Sequence, residues 1–262
     1  MLFHPHLCTI PTQSMGTTTQ AVRLAGTRSS TTRSRRAPSE YFYLAMAVLV
    51  AAAVMYGFSF TIGERLIHPT VPRPWVLYVH AVVFTGWLAL FLMQSALVRS
   101  RKIAWHKTMG WVGVGWAVLI VVFGISTALA MARFNAHVIH EKHVPVVIPL
   151  FDVLCFSCTF GAALYYRRKP EYHRRLMLAA TCALTVAGFG RLFRHYGLDL
   201  PPYAAVDALI LLGVARDLIV DRRVHRVYTI VLPAFIAGQI PVVYIATHNP
   251  EWWKRILNVL VG

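Results

Sequence analysis

Three short segments of the chain share one arrangement of chemically active side chains. They are Arg101-Lys102-Ile103-Ala104-Trp105-His106-Lys107, Arg168-Lys169-Pro170-Glu171-Tyr172-His173-Arg174 and a shortened Arg222-Arg223-Val224-His225-Arg226. The first two fit R-K-x-x-aromatic-H-basic, and each stands just before an apolar run. An imidazole in such a place can ligate a metal or haem iron, or carry a proton near neutral pH. The same composition also makes an interfacial anchor, in which basic and aromatic side chains hold a helix end at the membrane surface and the histidine is merely tolerated. Both readings stay open.

Other residues offer further chemistry. His137, His140 and His143 give H-x2-H-x2-H beside Glu141. On a helix each step turns about 60° backwards, so two of them can share a metal and all three are strained to do so; a solvated loop is the alternative. His80 heads a stripe with Phe84, Trp87, Phe91 and Gln94, at spacings that put all five on one helix face, the wall of a haem or quinone pocket or an ordinary packing face. Asp152, Arg191 and Asp207 fall at a depth similar to His80, one to two turns inside the apolar runs. A charge there costs about 3 kcal/mol even on a lenient scale, and the short loop between the fifth and sixth segments makes them antiparallel neighbours, so Arg191 is expected opposite Asp207. That buried polar layer reads either as an ion pair locking two helices or, joined by a third group, as a proton relay or a carboxylate-binding site. Cys155-x-x-Cys158 places two thiols on one helix face, where packing and redox readings compete.

The elements that must position these residues are seven apolar segments: about 41–63, 74–98, 108–132, 144–166, 172–194, 202–220 and 227–247. The chain has 262 residues, 57% hydrophobic and 14% charged, which places it among helical membrane proteins. The fold expected is all-α, a polytopic membrane bundle of seven transmembrane helices over 41–248. In the fifth segment only residues 176–190 are free of charge, and fifteen residues reach about 22 Å against roughly 30 Å of hydrocarbon. Charge must therefore enter the membrane: Arg174 and Arg175 are expected to snorkel to the near surface and Arg191 to be held inside. The third segment carries Gly110, Gly113, Ala117, Gly124 and Ala128 on one face, suited to close helix approach.

Lys and Arg gather in the tail, in 99–107, in 167–175 and in 216–226, while the intervening loops are poor in them. That alternation predicts the N-terminus inside and the C-terminus outside. It also accounts for the net charge of +16 without nucleic acid as a partner; the partner expected is the lipid bilayer. Residues 1–40, with Arg23, Arg28, Arg33, Arg35 and Arg36 and no acid before Glu40, read as a disordered basic tail, with an organellar transit peptide or an alternative start at Met15 as competing readings. Residues 249–262, with Trp252, Trp253, Lys254 and Arg255, read as an interfacial helix. The four cysteines form no disulfide framework, and the chain shows no nucleophile-and-base arrangement and no phosphate-binding loop.

The Trp105-His106-Lys107…Gly110-Trp111 segment and the run Arg167 to Leu178 (RRKPEYHRRLML) resemble an uncharacterised family of bacterial multi-pass membrane proteins, over about 74–226. More distantly they are similar to the transmembrane di-haem cytochromes b. That similarity implies a four-helix core with one histidine on each of four successive helices, paired across alternate helices near the two membrane faces. His80, His106, His143 (or His140) and His173 would be the ligands and haem b the cofactor. The function expected is transmembrane electron transfer in the cell inner membrane. A proton-coupled or small-solute carrier built on His80, Asp152, Arg191 and Asp207, and a ligand-free scaffold, are the alternatives.

Overall fold

A computed structural model describes residues 41–140 and 145–261. The tail over 1–40 and His143 lie outside the described residues. Those residues fold into helices, with no strand among them. They are α1 (Tyr41–Ile67), whose last turn, Gly63–Ile67, widens to a π-helix, α2 (Trp75–Arg99), α3 (Ile103–His137), α4 (Val147–Tyr165), α5 (Pro170–Ala183), α6 (Val186–His195), α7 (Pro202–Val220), α8 (Arg226–His248) and α9 (Glu251–Val261). An apolar run of this kind becomes helix because the helix closes every backbone hydrogen bond within itself. Proline marks several starts, as Pro170 and Pro202 in the first turn of α5 and α7, where the missing N–H has no partner to lose. Asn249, in the left-handed conformation at φ 44°, ends α8 ahead of Pro250.

Five helices, α1 to α4 and α8, are long and apolar enough to cross a membrane. The α5–α6 pair makes a sixth if taken as one broken span. At 35 residues α3 runs about 52 Å, longer than the roughly 30 Å of hydrocarbon in a bilayer. On composition alone α7 does not qualify, because its 19 residues carry Asp207, Arg216 and Asp217.

The fifth apolar segment is therefore not one helix. It breaks at Leu184 and Thr185 with a bend of 46°. Around the break the Leu184, Thr185 and Gly188 amides donate to carbonyls three residues back, the tighter pattern of a 3₁₀ turn. Thr185 Oγ1 donates to the Cys182 carbonyl at 2.7 Å, replacing part of what the helix gives up.

Two packed cores share α5. On one side Trp87, Ile120, Phe156 and Ala180 bring α2, α3, α4 and α5 together. On the other Val50, Leu178, Cys182, Ile210, Tyr228 and Phe235 join α1, α5, α7 and α8. Residues 178–183 of α5 are all buried, so this short helix is the axis of the bundle. Within the stripe from His80 to Gln94, Trp87 and Phe91 are buried, and Trp87 meets Phe156 edge-on at 5.1 Å. Gly113, Ala117 and Gly124 on α3 face neighbours as expected, with Phe84 and Val153 against Gly124, whereas Gly110 opens onto empty space. Along α1 and α6 the backbones nearly touch, at Gly57 and Gly188. At the far end of α3, Leu257 of α9 packs near Ala132 and Val146, while Arg133 Nη2 donates to the Leu260 carbonyl at 3.0 Å.

Candidate functional site

The basic end of the bundle, where the loops after α2, α4 and α7 gather, holds two clusters. The first is a pair of histidines. His106 in the first turn of α3 and His173 in the first turn of α5 lie with ring centroids 6.4 Å apart and planes at 77°. His173 Nδ1 stands 2.8 Å from the Ala163 carbonyl. A carbonyl only accepts, so Nδ1 carries the proton and Nε2 keeps the free lone pair. The Nδ1 of His106 and both amide atoms of Gln94 are buried with no hydrogen-bond partner. Buried polar atoms left in this way are uncommon in native structures and call for a partner.

The second cluster was not legible in the sequence. Arg175, 1% exposed, does not snorkel. Its guanidinium forks onto Asp217, with Nε to Oδ2 at 2.8 Å and Nη2 to Oδ1 at 2.7 Å. It also donates to the Glu171 carboxylate at 2.6 Å and to Asp221 at 3.1 Å. Arg216 Nη1 joins Asp217 and Asp221 at 2.9 and 2.6 Å, and Arg174 pairs with Glu171. Three guanidinium groups thus meet three carboxylates, and the charges cancel. A bidentate fork with its remaining donors satisfied is the geometry in which a buried pair recovers its desolvation cost.

His225 belongs to this cluster rather than to the histidine pair. Its backbone N–H donates to Asp217 Oδ2 at 3.3 Å, its ring meets Tyr172 edge-on at 4.5 Å, and its Nδ1 accepts the Val227 N–H at 3.2 Å, capping α8. Burial, then the Arg175 guanidinium nearby, hold the imidazole below its ordinary value of 6.5, which suits a ring that must stay neutral to accept.

The expected polar layer is taken apart by the structure. Arg191 does not face an aspartate; its Nε donates to Thr61 Oγ1 at 3.0 Å, its Nη1 to the Ala187 carbonyl at 2.7 Å, and the group lies over Phe58 at 4.1 Å. The bend after α5 re-aims α6, and so carries Arg191 toward α1 instead of α7. Asp207 accepts from Gln239 Nε2 at 3.0 Å. Asp152 is buried and accepts from Tyr203 Oη at 3.0 Å. His80 sits apart, stacked on Phe84 at 3.9 Å with its Nδ1 3.4 Å from the Phe123 carbonyl.

Among the described residues no three His, Cys, Asp or Glu side chains converge as a metal site. The H-x2-H-x2-H run does not continue as a helix, since α3 ends at His137 and His140 has φ 58°. Cys155 is half-buried and Cys158 exposed.

No family profile, curated protein or solved structure matches the chain. The functional reading therefore rests on the geometry of the site itself.

Proposed function

We propose that the protein is a membrane electron carrier whose His106 and His173 hold one haem b at the basic end of the bundle. The observation that carries this reading is the approach of two imidazoles from alternate helices to 6.4 Å between centroids. At that separation the two imidazoles, one from each helix, would hold the iron of the group between them. The bond from His173 Nδ1 to the Ala163 carbonyl adds support, because ligand histidines are held by their other nitrogen in this way. The unpartnered Gln94 amide and His106 Nδ1 supply polar contacts for an incoming group. Haem iron, when bound, brings reversible one-electron chemistry. The chain's part is to bind and orient it, with Lys102, Lys107, Arg168 and Lys169 as the positive charge for its two carboxylates.

The same reading takes seven spans, with the α5–α6 pair as the fifth and α7 as the sixth. Support for α7 comes from its charges being met inside the bundle, Asp217 and Arg216 in the ion cluster and Asp207 by Gln239. The basic loops then lie inside, the C-terminus outside, and the cell inner membrane is the location.

Absorption spectra of the purified protein, oxidised and dithionite-reduced, test the proposal. A stoichiometric Soret band is expected, lost in His106→Ala and His173→Ala and kept in His225→Ala. A colourless, well-folded protein would refute it and return the choice to a carrier or a scaffold.

A further inference from the structure

A second site, separate from the histidine pair, lies where α5 breaks. A cavity of about 10 Å³ is lined by Asp152 and Cys155 of α4, Val186 of α6, Tyr203 of α7, and Phe235 and Gln239 of α8. Asp152 is 9% exposed; its Oδ1 accepts from the Tyr203 hydroxyl at 3.0 Å, and among the described residues Oδ2 accepts no hydrogen bond. The Gln239 amide on the opposite wall donates to the half-buried Asp207.

No Lys, Arg or His among the described residues bonds to Asp152. A carboxylate in such surroundings without a cation costs several kcal/mol, and a bound proton removes that cost. The arrangement therefore has the parts of a proton site: an acid without a counter-ion, a hydroxyl donor on one oxygen, and, on the opposite wall, an amide that holds a second carboxyl. It also sits against the one place where the described fifth segment leaves helical geometry inside the bundle, and broken helices are the usual means of placing an ion site within a membrane.

We propose that Asp152 binds one proton inside the bundle and releases it to solvent water that reaches its exposed edge. The step breaks the O–H bond of the Asp152 carboxyl and makes one on the water, which becomes hydronium; no electrons move. The charge left behind is held by the Tyr203 hydroxyl. Other titratable groups at the site are Tyr203 itself, Cys155 and, one step away, Asp207; α5 and α6 present Ala183 and Val186, and α8 presents Phe235 and Gln239. This site functions with or without haem at the other end, so the two proposals fail separately.

The test is a pH-difference infrared spectrum of the protein in lipid. A protonated-carboxyl C=O band is expected that shifts in D2O, titrates with pH and is lost in Asp152→Asn. In Tyr203→Phe, which removes the donor that favours the charged form, the titration moves to higher pH. Circular dichroism and thermal unfolding confirm that both variants are folded. A folded Asp152→Asn protein whose titrating bands are unchanged would overturn the proposal. So would a titration displaced by sodium but not by choline, which would mark a metal-cation site instead.

Discussion

The guanidinium of Arg175 shows how far one residue's fate depends on partners distant in sequence. Alone at the edge of an apolar run it would reach for water; given Asp217 it turns inward and is sealed. Breaking such a pair from one side leaves a buried charge and costs about 3–5 kcal/mol, whereas replacing both partners with apolar groups costs far less. Asp217→Ala is therefore expected to lower the thermal unfolding midpoint in detergent sharply, and the double variant Arg175→Met/Asp217→Leu to recover much of it. If the double variant is no better than the single one, the cluster has a role beyond mutual neutralisation. His225 makes a subtler prediction. Its folded imidazole titrates below the ordinary 6.5, so the unfolded chain takes up the proton first. Stability is complete above about 6.5 and falls as pH drops from there toward the folded value. His225→Asn keeps a capping acceptor without the titration, and its unfolding midpoint should fall less steeply with acid than that of the wild type.

At the scale of elements, hydropathy and charge made α1 to α4 and α8 legible, because a long apolar run has few structural outlets in a membrane. The break in α5–α6 was not. Neither proline nor glycine stands at Leu184 and Thr185, and the turn depends on a threonine hydroxyl that competes with the backbone, an outcome decided by packing. The ion cluster was hidden for another reason: a hydropathy count scores charges one at a time, while the energy belongs to pairs 42 residues apart. What the bend achieves is contact between α6 and α1. A side chain's first carbon at Gly57 would collide with the Gly188 carbonyl, and one at Gly188 would stand 3.2 Å from the Val54 Cα. Both neighbours are backbone and cannot rotate away. Gly57→Ala is expected to cost about 1–3 kcal/mol, seen as a lower unfolding midpoint, whereas Gly161→Ala, which meets open space, should leave the midpoint unchanged or raise it.

On the scale of the whole molecule, the bundle separates its chemistry by depth. His106, His173, His225 and the neutralised ion cluster occupy the end that bears the basic loops, and Asp152, held by the Tyr203 hydroxyl, lies toward the other. The candidate histidines were legible from a repeated loop motif, yet only their positions in three dimensions distinguish His106 and His173, which meet, from His225, which caps a helix. The Arg175–Asp217 pair also sets an order on biogenesis. Arg175 leaves the ribosome 42 residues ahead of Asp217, so for that interval the nascent chain has only the neighbouring Glu171 to pair with its guanidinium. Until α7 emerges, the long Arg175 side chain is expected to keep its head toward water. Its full burial then waits on the arrival of Asp217 and Asp221.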